Sequence, residues 1–279
     1  VSILTGKAGC GKSSTVAAIV GIMKQKELNI NLCALSGRAS SKMTELTGLE
    51  GVTIHRLLGL GAGDEGGTFI GREPHGKNNP LDTDLLVLDE TSMVGSDLIL
   101  SILEAIPDGG RLLMVGDIAQ LESIGAGNVL KDCMVSGYVP ITTLSKIQRQ
   151  QSNSAIITES LKVSNGTQLF PPNWVGTEIR GVLQDLKIIA FSSAEISQTK
   201  VIEEYKSLLN QGVNPKDIQI IVPMRFRGHI SCKQLNTIIQ SMVNGTANSF
   251  KDLTVSYIEK DQQFATTFRE RDKIIIIKN

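Results

Sequence analysis

Short apolar runs alternate along the chain with stretches of helix-forming residues. Residues 1–5 are an apolar run that ends in a glycine loop, and residues 13–25 read as a helix with small, close-packing positions. Residues 30–35 read as a second strand and 38–46 as a helix that stops at Gly48. Residues 85–88 are fully apolar, as expected for a strand in the middle of a parallel sheet. Ser96 is placed to cap a helix over residues 97–106, which Pro107 and the Asp108-Gly109-Gly110 turn terminate. Residues 111–115 are the next strand. This order predicts an α/β sheet covered by helices.

The pattern fails between Gly59 and Asp84. That stretch holds glycines at 59, 61, 63, 66, 67, 71 and 76 and prolines at 74 and 80, with room for one small hairpin around residues 68–72. A long irregular stretch inside a domain is functional or disordered. A second α/β pattern begins after about residue 146. It has helices over 154–161, 194–210 (ended by Gly212) and 232–242, and strands over 187–191, 218–222 and 273–277. No short-period repeat is present. The expected organisation is a first domain over residues 1–145, with a small insertion at about 59–84, and a second over 146–279. Val1 falls inside an apparent strand with no Met, and the chain stops on an apolar strand, so the expectation is a fragment cut at both ends.

Composition narrows the classes. The 41% hydrophobic and 20% charged residues are globular values that exclude disordered, collagenous and coiled-coil chains. No apolar run reaches the roughly 18–20 residues of a membrane span. Lysines and arginines number 28 and acidic residues 28, which argues against a dedicated basic nucleic-acid module but leaves room for local strips. Cys10, Cys33, Cys133 and Cys232 are scattered with no CxxC pair, unlike a disulfide framework or zinc cluster. Reduced cysteines, and no signal sequence before the first strand, point to a cytoplasmic protein.

Chemistry concentrates at three strand ends. Gly6-Lys7-Ala8-Gly9-Cys10-Gly11-Lys12-Ser13 matches G-x-x-x-x-G-K-[ST] between a strand and a helix. Glycines let backbone N–H groups converge on phosphate oxygens, and the helix N-terminus adds partial positive charge. The nucleotide-binding set is Gly6, Gly9, Cys10, Gly11, Lys12, Ser13 and Ser14, with Lys12 directed to the β- and γ-phosphates and Ser13 to Mg²⁺. The apolar strand before Asp89 and Glu90 ends in two carboxylates that alternate in direction. Asp89 suits Mg²⁺, and Glu90 suits a general base acting on water. Gln120 follows the strand ending at Gly116-Asp117; by itself it fits a surface glutamine as well as a γ-phosphate sensor.

The segments GKAGCGKSS, LSGRASSKMTELTG, VTIHRLLG, LLVLDETSMV, LLMVGDIAQLESIGAGNVLKD and LSKIQRQ follow in that order. Together they resemble the motifs of RecD-type helicases, in the 5′→3′ branch of helicase superfamily one, with conjugative relaxase-helicases as near relatives. The likeness covers most of residues 1–165 and resumes at Ile221-Val222-Pro223-Met224-Arg225, Leu235-Asn236 and residues 268–273. The resemblance implies a P-loop NTPase with two RecA-like parallel-sheet domains, the second incomplete. It implies ATP and Mg²⁺ as cofactors, and Lys12, Glu90, Gln120 and Arg149 as catalytic residues. Gln120 becomes the γ-phosphate sensor and Arg149 the arginine that reaches that phosphate. Ser36, Arg38, Thr53 and His55 fall in motifs that line the single-strand path. The implied partners are single-stranded DNA and subunits of a nuclease–helicase complex, with no membrane.

Departures from the pattern are Cys10 where Thr or Ser is usual, Ser36 where Thr is common, Ala119 and Glu122 in place of the Asp and Pro of the third motif, and Arg271 where Gly is expected. None removes a side chain directed at ATP. The fifth and sixth motifs and the upstream adenine-reading glutamine are missing. The function expected is ATP-driven translocation on DNA for recombination and repair. A conjugative helicase domain, a non-helicase P-loop ATPase and a subunit that has lost hydrolysis are the alternatives.

Overall fold

The computed structural model describes residues 1–7, 9–60, 73–123, 125–146, 153–228, 230–245, 252–259 and 262–274. The side chains of residues 194, 257–259 and 262–264 are not described. Two compact units are present: residues 1–169 with 179–187, and residues 170–178 with 188–279.

The first unit begins with β1 (Ser2–Gly6) and α1 (Lys12–Gln25), then β2 (Ile30–Ala34) and α2 (Gly37–Thr47). The short β3 (Gly51–Thr53) runs straight into α3 (Ile54–Leu58). After the irregular stretch come β4 (Leu85–Asp89), α4 (Ser96–Ala105), β5 (Arg111–Gly116), α5 (Val129–Ser136), β6 (Ile141–Leu144) and α6 (Ala155–Ser164). Six strands form one sheet in the order β3-β2-β4-β5-β1-β6, and all of its neighbouring strands pair parallel.

Side-chain alternation divides the core between the two sheet faces. Leu85 and Val87 pack with Val16 and Val20 of α1 and Met43 of α2. Leu86 and Leu88 pack with Ile54 and Leu58 of α3, Ile99 and Ile102 of α4, and Leu130 of α5. A strand covered on both faces has no polar positions, which is why residues 85–88 read as a continuous apolar run.

Expectation and structure part at several places. The helix over 96–105 is preceded by Gly95, with no side-chain cap. Ser96 sits inside the first turn, and its hydroxyl donates to Ala126 O at 2.6 Å, so the hydroxyl expected as a cap fastens the following loop instead. The elements over 51–53, 54–58, 129–136 and 141–144 carry no strong periodic signal and form only against the sheet. The hairpin expected at 68–72 lies outside the described residues, as does most of the strand expected at 273–277.

In the second unit and at its border lie β7 (Gly176–Arg180) and β8 (Leu186–Ala190), α7 (Ala194–Asn210), α8 (Cys232–Val243), β9 (Asp252–Glu259) and β10 (Gln262–Arg269). The strands β7 and β8 form one two-stranded sheet, and β9 and β10 pair antiparallel in another. The apolar run 218–222 is not a strand. A strand is a pairing property, and no neighbouring strand offers it a ladder among the described residues. Ile221 is left 89% exposed.

Candidate functional site

The strand order brings the expected residues together. Neighbours of β1 are β5 and β6, and β4 lies on the far side of β5. The loop after β5, with Asp117 and Gln120, therefore leaves the sheet between the phosphate loop after β1 and the Asp89-Glu90 pair after β4.

The phosphate loop is built for close approach. A Cβ on Gly6 would come within 2.7 Å of Leu144 O on β6, so only glycine fits there. Gly11 precedes α1 in the left-handed region (φ 86°), and no side chain caps the helix. The first amide groups of α1 are thus free of side-chain competition, unlike those of α2, α6, α7 and α8, each capped by a serine. Lys12 Nζ donates to Gly6 O at 2.5 Å and to Lys7 O at 3.3 Å, which lays its ammonium along the loop. Ser13 is half-buried in the first turn, Ser14 is exposed beside it, and Cys10 is buried.

Strand β4 ends abruptly. Asp89 Oδ1 accepts from Glu90 N at 2.9 Å, and Glu90 adopts φ 53°, ψ 40°. A non-glycine residue in the left-handed region is strained by about 1–2 kcal/mol, and such strain gathers at functional sites. The bend sends Glu90 off the strand axis. Burial holds both carboxyls above their usual range; the Glu90 amide, Lys12 and Lys42 oppose it at Asp89. The charge of Asp89 raises Glu90 further, while Lys12 and Lys42 lower it. Beneath the pair, burial and the Asp89 charge push the Cys33 thiol up to about 12. Asp117, 5% exposed, accepts from Ala119 N at 3.0 Å and shapes the loop on which the exposed Gln120 sits.

A cavity of about 440 Å³ opens beside the phosphate loop. Its walls include Gly6, Lys7 and Cys10, Asp117 after β5, Ser145 after β6, Leu161 of α6 and Asn165 at the C-cap of that helix.

The residues expected on a DNA path also share one edge. Ala34 of β2 pairs with Thr53 of β3, which brings the β2–α2 and β3–α3 junctions side by side. Ser36 and Thr53 spend their hydroxyls as helix caps, accepting from Ala39 N (3.2 Å) and Arg56 N (3.3 Å). Arg38 and His55 are exposed at the same junctions. Arg149 lies outside the described residues. Sequence reasoning missed Lys42, because its nearness to Asp89 arises from β2 and β4 being sheet neighbours. It missed the bend at Glu90 for want of the glycine that marks most left-handed positions.

The parallel sheet, the uncapped glycine loop and the carboxylate pair two strands away define a P-loop nucleotide-binding fold. A family model described as "AAA domain" matches residues 1–173, and the chain belongs to that family. The chain is 31% identical over 242 residues to the ATP-dependent RecD2 DNA helicase of Deinococcus radiodurans, covering 87% of this chain and 30% of that protein. It is 36% identical over 161 residues to the RecBCD enzyme subunit RecD of Mycobacterium tuberculosis, covering 50% of this chain and 27% of that one. The chain thus spans under a third of these relatives' length. The Pif1 helicase crystal structure from Candida albicans superposes with a TM-score of 0.52 at 17% identity, over 92% of this chain and 53% of that one, which supports the fold alone.

Proposed function

We propose that the chain is the nucleotide-hydrolysing part of an ATP-dependent DNA helicase or translocase that moves 5′→3′ on single-stranded DNA. The observation that carries this reading is the convergence of Lys12, Gln120 and the Asp89–Glu90 pair on the C-terminal ends of β1, β5 and β4. The likeness to the RecD-type relatives supports the choice of DNA as the track.

Lys12 and the α1 amides would hold the β- and γ-phosphates. Ser13 and Asp89 would hold Mg²⁺: both are hard oxygen donors, and the Glu90 amide orients the Asp89 carboxylate. When bound, Mg²⁺ neutralises charge on the phosphate oxygens. Glu90, its carboxyl raised by burial, takes a proton from the attacking water more readily than an ordinary surface glutamate. Gln120 hydrogen-bonds the γ-phosphate, and Arg149 supplies a further positive charge to it.

DNA would meet Arg38 and His55 beside the capping Ser36 and Thr53. Such contacts are to the backbone, indifferent to sequence and weakened by salt. Residues 1–145 would be the first RecA-like domain and 146–279 part of the second. Subunits of a nuclease–helicase complex are the proposed partners, recombination and repair the proposed process, and the cytoplasm the proposed compartment. Among the described residues no helix is long and apolar enough to cross a membrane.

The test is the ATPase rate of the chain with and without single-stranded DNA. The reading expects a rise on adding DNA, reduced by salt and by Arg38→Ala. Hydrolysis that ignores DNA would contradict the translocase and leave a plain P-loop ATPase.

A further inference from the structure

The phosphate loop carries a second lysine, and its ammonium has an unusual seat. Lys7 Nζ donates to Asn165 Oδ1 at 2.6 Å and to Ser164 Oγ at 3.1 Å. Ser164 is the last residue of α6 and Asn165 is its C-cap. The negative end of a helix macrodipole favours a cation there. An ammonium has three donors. Among the described residues two are spent on one helix end, which leaves the third for an acceptor in the loop where the phosphates are read.

Helix α6 is fastened elsewhere as well. At its start, Ser154 Oγ donates to Asp185 Oδ2 (2.5 Å) and Ala155 N to Asp185 Oδ1 (2.8 Å). At its middle, Glu159 is only 7% exposed and accepts from Arg180 Nη1 at 2.5 Å and Lys162 Nζ at 2.6 Å. Gly181 packs so closely on Ala155 that a Cβ there would sit 2.6 Å from the alanine methyl. Asp185, Arg180 and Gly181 all belong to the β7–β8 hairpin region. The helix is therefore clamped to the hairpin at one end and to the phosphate loop, through Lys7, at the other.

We propose that Lys7 is a positioning residue that ties a bound triphosphate to the C-terminal end of α6, so that nucleotide occupancy sets the seat of that helix and of the hairpin clamped to it. The inference rests on the nucleotide reading above. A phosphate oxygen on the third donor makes a charge-assisted bond. It holds the ammonium in place and so holds Asn165 and Ser164. Hydrolysis and phosphate departure remove that anchor and loosen α6 from the loop.

The test is amide hydrogen exchange over residues 158–165 in the full chain, with and without a non-hydrolysable ATP analogue and Mg²⁺. In the wild-type chain the analogue should slow exchange there by roughly tenfold. Lys7→Met and Asn165→Ala should each abolish the nucleotide-dependent part, measured at analogue concentrations that saturate each variant. Lys7→Arg should restore it. A merely structural lysine would shift exchange equally in both states. Equal protection by the analogue in wild type and Lys7→Met overturns this proposal alone, provided Lys12→Ala removes analogue binding. No analogue binding by the wild type, or binding that survives Lys12→Ala, overturns the nucleotide reading and this proposal with it.

Discussion

The two units of the molecule use apolar residues in opposite ways. In the first, Leu85, Leu86, Val87 and Leu88 are all at most 4% exposed, covered by helices on both sides. In the second, the buried hydrophobic residues among those described are Tyr205 and Leu235, while Ile221 and Leu253 are 89% and 64% exposed. The first unit holds a doubly covered parallel sheet and, at the C-terminal edge of that sheet, the whole of the described candidate site. The second consists of helices and narrow ribbons that bury little. A rigid sheet can hold strained and desolvated groups such as Glu90 and Asp89 in place; ribbons of this kind cannot.

Core truncation should affect the two units most unequally. Leu86→Ala should cost about 2–5 kcal/mol, as for other buried leucines. Ile221→Ala in the second unit should change stability by no more than about 0.5 kcal/mol. Equal losses in denaturant unfolding would contradict the division.

Next comes the cost of the site itself. The Asp89 carboxyl is raised by burial. A raised folded value means that its contribution to stability is present at low pH and lost as pH rises through that value. At neutral pH the charged form is therefore a burden, and Asp89→Asn should raise the melting midpoint by about 2–4 °C while hydrolysis collapses. A lowered midpoint would show that the carboxylate supports the fold.

Around α6 the sign reverses. Hydrogen bonds from Lys162, then Arg180, hold Glu159 below its ordinary range, and Ser154 and the Ala155 amide do the same for Asp185. Their contribution is present above the ordinary carboxylate range and is lost as pH falls through the lowered values. Amide exchange in α6 should thus quicken on acidification below about pH 4, after correction for intrinsic rates, before exchange in β4 and β5 does. The smallest effect is expected at Ser92, whose buried hydroxyl has no hydrogen-bond partner among the described residues. Ser92→Ala should leave the melting midpoint unchanged or slightly raised.

Where burial is two-sided the fold was legible in the sequence. Residues 85–88 read as a central strand because the sheet leaves them no polar position, and the helix over 194–210 matches its expected limits. The phosphate loop was legible because its glycines answer to backbone geometry. The short β3, β6 and α3 were not, since tertiary contact rather than periodicity makes them. The apolar run 218–222 misled for the converse reason: hydrophobicity without a pairing neighbour does not make a strand. Of the site, Lys12, Asp89 and Glu90 could be read from strand ends. Lys42 and the Lys7–Asn165 link could not, because they join residues that only the strand order and the docking of α6 bring together.

We propose that the C-terminal edge of the first unit's sheet binds and hydrolyses a nucleoside triphosphate with Glu90 as base. The decisive experiment compares ATP binding and ATP turnover in Glu90→Gln and wild type. Glu90→Gln should retain binding while turnover falls about 100- to 10,000-fold. Turnover within a few-fold of wild type would contradict it.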